Sequence, residues 1–152
     1  MKQIIFLSLV LSLLSPMAAF AGGLEDFLKN VNIQARVDLP GFSAKISSQF
    51  GVPTAQVQAV VQTVREPADA FMVFQLGQMS GKQPEKVMEV YGPGKGKGWG
   101  AIAKELGIKP GSAAFHRLKN GDLSFSGKPA GDDDTPGKGK GKGHGKGHNK
   151  RD

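Results

Sequence analysis

Three glycines, Gly51, Gly81 and Gly107, sit in the same local pattern, and that pattern confines the chain to a stack of short helices. Five positions before each glycine stands an aliphatic residue (Ile46, Leu76, Ile102) and four before it a small one (Ser47, Gly77, Ala103). Two or three positions after each glycine comes a proline (Pro53, Pro84, Pro110), and six positions after it a small or β-branched apolar residue (Val57, Val87, Ala113). Glycine reaches the left-handed conformation that ends a helix, and proline is at home in the first turn of the next one. The small residue one turn before the glycine lets the second helix approach closely. Each unit therefore reads as helix, stop, helix: a corner like that of a helix-turn-helix, used three times.

The corners predict helices over 42–50, 54–65, 67–80, 84–91, 99–106 and 111–119, preceded by a short one from Leu24 to Val31 with Glu25 and Asp26 in its first turn. Val57, Val60, Val61 and Val64 form one apolar stripe. The segment 67–80, with Phe71, Met72, Val73, Phe74, Leu76 and Met79, is apolar around most of its circumference, which predicts a central, buried helix. Two stretches break the helical pattern. Val31, Ile33, Ala35, Val37 and Leu39 alternate with polar residues, the period of a half-buried strand ended by Leu39-Pro40-Gly41, and Leu123 and Phe125 alternate within 122–126. The two can pair, although two strands alone are marginal. Segment 42–50 satisfies both periods, and the corner that follows it decides for helix. The expectation is a mainly α fold: a compact domain of about six short helices in helix-turn-helix-like corners, with a short strand pair as an option.

The chain opens with Lys2, an apolar run from Ile4 to Leu14 relieved by Ser8 and Ser12, a break at Ser15-Pro16 and a small-residue exit, Ala19-Phe20-Ala21. That is the form of a cleavable export signal over 1–21, and roughly eleven apolar residues fall short of the ~18 needed to span a bilayer. The processed protein is thus expected in the periplasm or secreted, with no membrane span after cleavage. There is no cysteine, so disulfides, thiolate metal sites, c-type haem attachment and a lipoprotein anchor are excluded together, and packing alone must hold the domain. The expected organisation is a signal peptide (1–21), a small helical domain (22–126) and a Gly/Lys/His-rich tail (127–152). That tail buries too little apolar surface to order itself.

Charge is unevenly spread. Residues 22–81 carry four Lys/Arg against five Asp/Glu, residues 82–119 eight against three, and residues 137–152 six against one, within a net charge of +7. The excess points to an anionic partner. Its expected contacts are Lys95, Lys97, Trp99, Lys104, Lys109, Arg117 and Lys119 on the domain, and Lys138, Lys140, Lys142, Lys146, Lys150 and Arg151 on the tail. Lys95 and Lys97 lie in a glycine-rich loop, 92–100, leading into a helix, an arrangement that serves either as an anion cradle or as a solvated loop; it lacks the Gly-Lys-Ser/Thr ending of a P-loop. Trp99 is read either as a core anchor or as a stacking platform beside the lysines. His144 and His148 offer a weak two-imidazole metal site without a fixed frame. The folded part holds no paired carboxylates, nucleophile triad or metal-ligand spacing, and His116 has no partner at a telling distance, so no enzyme and no cofactor are expected.

Residues 101–121, AIAKELGIKPGSAAFHRLKNG, resemble the helix-turn-helix of phage-repressor-type DNA-binding domains, which implies that Ser112, His116, Arg117 and Lys119 would meet a major groove. Pro110-Gly111 and Ala113-Ala114-Phe115 depart from that pattern where a recognition helix starts and reads bases. The longer segment 91–119 resembles a family of small, uncharacterised exported bacterial proteins sharing GKGWG-x-IAK-x-LGIKPGS-x-x-FH-x-LK, and the looser likeness reaches back over most of the domain but not the tail. That resemblance implies export and no particular activity. The sequence thus favours a non-enzymatic protein that binds an anionic polymer or surface: lipopolysaccharide, polysaccharide or extracellular nucleic acid. Two alternatives remain. One is an envelope protein-interaction module docking through 67–80 or 31–39, which exposed Phe71 and Phe74 would favour, and the other a DNA-binding regulator.

Overall fold

The computed structural model describes residues 22–94 and 96–128. Within them lie seven helices: α1 (Gly22–Val37), α2 (Leu39–Phe50), α3 (Thr54–Thr63), α4 (Pro67–Ser80), α5 (Pro84–Gly94), α6 (Trp99–Glu105) and α7 (Ala113–Asn120). The punctuation read from the sequence sets most of these limits. α2 and α4 end on Gly51 and Gly81, whose φ angles of 64° and 66° are left-handed, and Gly107 turns the chain after α6 with φ 92°. Only a residue without Cβ takes such angles at no cost. Pro67 and Pro84 open α4 and α5. At the start of α2, Asp38 accepts the Gly41 amide at 2.9 Å, satisfying one of the orphan donors of the first turn.

α4 is the axis of the molecule. It packs on α1, α2, α3, α5 and α6, and Ala68, Ala70, Phe71, Met72, Val73, Phe74, Leu76 and Gly77 are all buried along it. Burial on every side explains why its apolar residues follow no single face. Around Phe71 the aromatic rings interlock, with Phe27 at 5.4 Å, Phe50 at 5.7 Å and Phe125 edge-on at 5.6 Å between centroids. Phe71 and Phe74 therefore offer nothing to a partner.

The strand expected over 31–39 is instead the second half of α1 and the start of α2, and no strand occurs among the described residues. The two periods coincide at Val31 and Ala35, four residues apart, which continue the helical stripe begun by Leu24, Phe27 and Leu28 and are buried. The intervening Ile33 and Val37 belong only to the alternating pattern, and the helix turns them outward, 53% and 84% exposed. α1 wins because it buries one face of sixteen residues against α4, α2 and α7, a gain that a two-stranded ribbon cannot match.

Segment 122–126 likewise forms no strand; a buried side chain supplies its partner. Gln49, on α2, donates from Nε2 to the Ser124 carbonyl at 2.7 Å, while its Oε1 accepts the Ser126 and Gly127 amides at 3.2 and 3.3 Å. One amide thus does the work of a neighbouring strand, and it presses Phe125 onto Phe42, 5.3 Å between centroids. Lys45 lies 5.3 Å over the same ring. Just ahead of this segment α1 starts against the end of α7, where a methyl group on Gly23 would run into the Asn120 carbonyl.

Candidate functional site

The basic unit of the domain is α6, the turn that follows it and α7. Its start is anchored by Trp99, which is 9% exposed and stacks on Tyr91 with centroids 5.3 Å apart and planes 14° from parallel. The Tyr91 hydroxyl donates to Asp69 Oδ2 at 2.8 Å and accepts the Arg65 amide at 3.2 Å, tying α5 to the start of α4. Burial pushes the Tyr91 hydroxyl up to about 12, with the Asp69 carboxylate adding to the rise and the Arg65 amide opposing it. Of the two roles open to Trp99, the core anchor is the one this geometry serves, since Tyr91 covers one face of the indole.

From that anchor the cations are aimed outward by the residues that are buried. On α6, Ile102 and Ala103 face the core and leave Lys104 and Glu105 in solvent. Ile108 pins the turn, leaving Lys109, Pro110 and Gly111 exposed. On α7, Phe115 and Leu118 are buried, so Ala113, His116, Arg117 and Asn120 look out, and Lys119 is half-buried. Lys97 is exposed just ahead of α6. The ion pairs among the described residues, Arg36 with Glu66 and Lys86 with Glu89, lie outside this unit. Between Gly96 and Gly121 there are five Lys/Arg and one carboxylate, Glu105. α6 and α7 pack on each other, which puts Lys104, Lys109 and Arg117 on one helix pair. Lys95 and the tail residues Lys138, Lys140, Lys142, His144, Lys146, His148, Lys150 and Arg151 lie outside the described residues, as does the leader, 1–21.

The third corner departs from the first two. Residues 106–112 separate α6 from α7, longer than the three or four residues that join the helices of a helix-turn-helix. Gly111 is a second left-handed residue in it, with φ 86°. α7 begins when Ser112 Oγ accepts the Phe115 amide at 3.2 Å. Ala113, equivalent in spacing to the buried Val57 and Val87, is exposed.

Away from the basic unit, the large hydrophobic side chains exposed among the described residues are Ile33, Val37 and Leu39. Beside them α2 and α3 form an open groove of about 330 Å³ lined by Leu39, Pro40, Ser43, Gln58, Val61 and Gln62. Sequence reading missed this surface because it took the same residues for the inner face of a strand. Among the described residues no helix is long and apolar enough to cross a membrane, and no three His, Asp or Glu side chains converge as a metal site. No protein-family model, curated protein or solved structure matches the chain.

Proposed function

We propose that this chain is an exported, non-enzymatic protein that attaches to an anionic polymer or envelope surface through the α6–α7 cations and the lysine-rich tail. The observation that carries the reading is the cationic unit itself: Lys97, Lys104, Lys109 and Arg117 are exposed, form no ion pair with another described residue, and share their stretch of chain with a single carboxylate. A charge left unpaired on a structured surface keeps its full attraction for an external anion, and several on one helix pair act together on a polymer. Lysines on a glycine spacer add contacts without fixing a geometry, which suits a partner recognised by charge density more than by shape. The chemistry shared by lipopolysaccharide, acidic polysaccharide and extracellular nucleic acid is a dense row of phosphate, carboxylate or sulfate groups.

The test is salt-dependent retention of the processed chain, residues 22–152, on immobilised heparin, with lipopolysaccharide and duplex DNA in solution as competitors. Affinity is expected to fall log-linearly with salt, with a slope close to 0.9 per phosphate contact for DNA. Lys109→Glu with Arg117→Glu lowers that slope and leaves the fold intact. Deleting 129–152 lowers it further. Binding that ignores salt, or a chain retained by none of the three polymers, overturns the proposal.

A further inference from the structure

The segment after α7 is fastened to the domain by one side chain. Its last backbone–backbone bond runs from the Asp122 amide to the Arg117 carbonyl at 2.9 Å, and from Leu123 to Lys128 none follows among the described residues. The polar anchor of this stretch is Gln49, 6% exposed, whose amide donates to the Ser124 carbonyl and accepts the Ser126 and Gly127 amides. Its apolar anchors, Leu123 and Phe125, are only half-buried, yet Phe125 covers Phe42 and Phe71, which are 2% and 0% exposed. The neighbouring chain is fixed far more firmly. A methyl group on Gly121 would run into the Gly23 carbonyl, so α7 ends tight against α1 and the hinge of the segment falls at Asp122 and Leu123.

We infer that 123–128 is a releasable strap over a peptide-binding groove on α2 and α4, and that the strap is the groove's own ligand held in cis. A stretch with no backbone ladder and half-buried anchors opens at lower free energy than the helices beneath it. Opening also strands no buried polar group, because water reaches both Gln49 and the backbone it releases. Phe42, Lys45 and Gln49 lie at helical spacing on one face of α2, with Phe71 of α4 beside them, and this face dictates what it can hold. The ligand is a non-helical peptide with an aromatic side chain packed on Phe42 and Phe71 under the Lys45 ammonium. It must offer a carbonyl one residue before the aromatic and free amides on the next two residues, so proline is barred from both. The second of those is glycine, because Gly127 has φ 74° and a Cβ there would lie 3.2 Å from Lys45 Cγ. Main-chain bonds thus supply affinity and the aromatic pocket sets the register. A segment of another chain with the form x-Phe-x-Gly is the class of ligand that displaces the strap.

The experiment has two arms, both on the processed chain, 22–152. In native-state hydrogen exchange the Ser126 and Gly127 amides should exchange about a hundredfold or more faster than those of Phe71 to Leu76, through an opening that urea hardly changes. In the second arm a fluorescein-labelled peptide of residues 121–128 is titrated by anisotropy from about 1 µM to about 1 mM. It should bind Phe125→Ala, whose own strap is weakened, about tenfold or more tighter than the unsubstituted chain, where the strap competes in cis. Adding Gln49→Leu to Phe125→Ala should weaken binding about tenfold, and a peptide carrying Phe125→Ser or Gly127→Val should not bind. One exchange rate with one urea dependence for the strap and α4 overturns the strap. A peptide that ignores Phe125→Ala, or that binds as well without its phenylalanine, overturns the groove. Neither arm contains a polyanion, so the result stands apart from the heparin measurement.

Discussion

The corner around Gly81 and the corner around Gly107 carry the same punctuation and serve different ends. In the first, α4 turns straight into α5, Pro84 opens the new helix and Val87, six residues after the glycine, is fully buried. In the other the chain takes seven residues to reach α7, and the residue at the equivalent spacing, Ala113, faces solvent. The α4–α5 turn puts its side chains into packing, and the α6–α7 turn puts Lys109 and Arg117 on display. A glycine-proline signal thus fixes where a helix stops, while the length of the connection decides what the next helix does with its faces.

Three substitutions test that contrast. The largest effect is expected where packing is greatest: Val87→Ala, or Val57→Ala in the Gly51 corner, should cost about 2 kcal/mol by urea unfolding, through lost burial and a residual cavity. Ala113→Ser should stay within about 0.5 kcal/mol, as exposed positions do. Equal losses at Val87 and Ala113 would break the distinction between a packed and a displayed corner.

Backbone strain runs the other way. Gly51 and Gly81 sit in the left-handed helical region, which an alanine enters at a cost of about 1 kcal/mol, whereas Gly107, at φ 92°, lies outside it. Gly107→Ala should therefore lose about 2 kcal/mol, roughly twice the loss at Gly81→Ala, although nothing crowds either position. The same loss at both would mean that the third turn relaxes to accept a side chain.

A smaller effect than those at Val87 and Gly107 concerns the anchor from which the displayed corner starts. The folded state holds the Tyr91 proton up to about pH 12, while the unfolded chain releases it near 10. The folded state thus binds more protons between these values, so the stabilisation is complete below pH 10 and is lost as pH rises through 12. Thermal melts should show that alkaline decline. Tyr91→Phe should flatten it and cost about 1 kcal/mol at neutral pH, for the hydroxyl's bonds to Asp69 and the Arg65 amide.

Much of the helical plan was legible in local chemistry. The limits of α4 follow from Pro67 and Gly81, and the burial of Ile46, Leu76 and Ile102 follows from their place one turn before a glycine stop. These signals are local because a left-handed residue or a missing amide acts on the backbone beside it, whatever surrounds it. The cations were legible as residue types, but their exposure came from the burial of Phe115, Leu118 and Ile108, which turns α7 and its preceding loop.

What lies between residues 31 and 39 only the tertiary structure decided. Val31 and Ala35 satisfy a strand and a helix equally, and the choice rests on which partner can cover the face; α4 covers it, so Ile33 and Val37 are turned into water. Gln49 makes the same point from the polar side. Nothing in its neighbours marks it as the residue that pairs with the backbone of 124–127, because that role depends on a segment more than seventy residues away arriving beside it. Sequence sets what a short stretch of backbone can do on its own, whereas the burial of a face depends on elements remote in the chain, and their packing energy exceeds the small local preference between one periodicity and another.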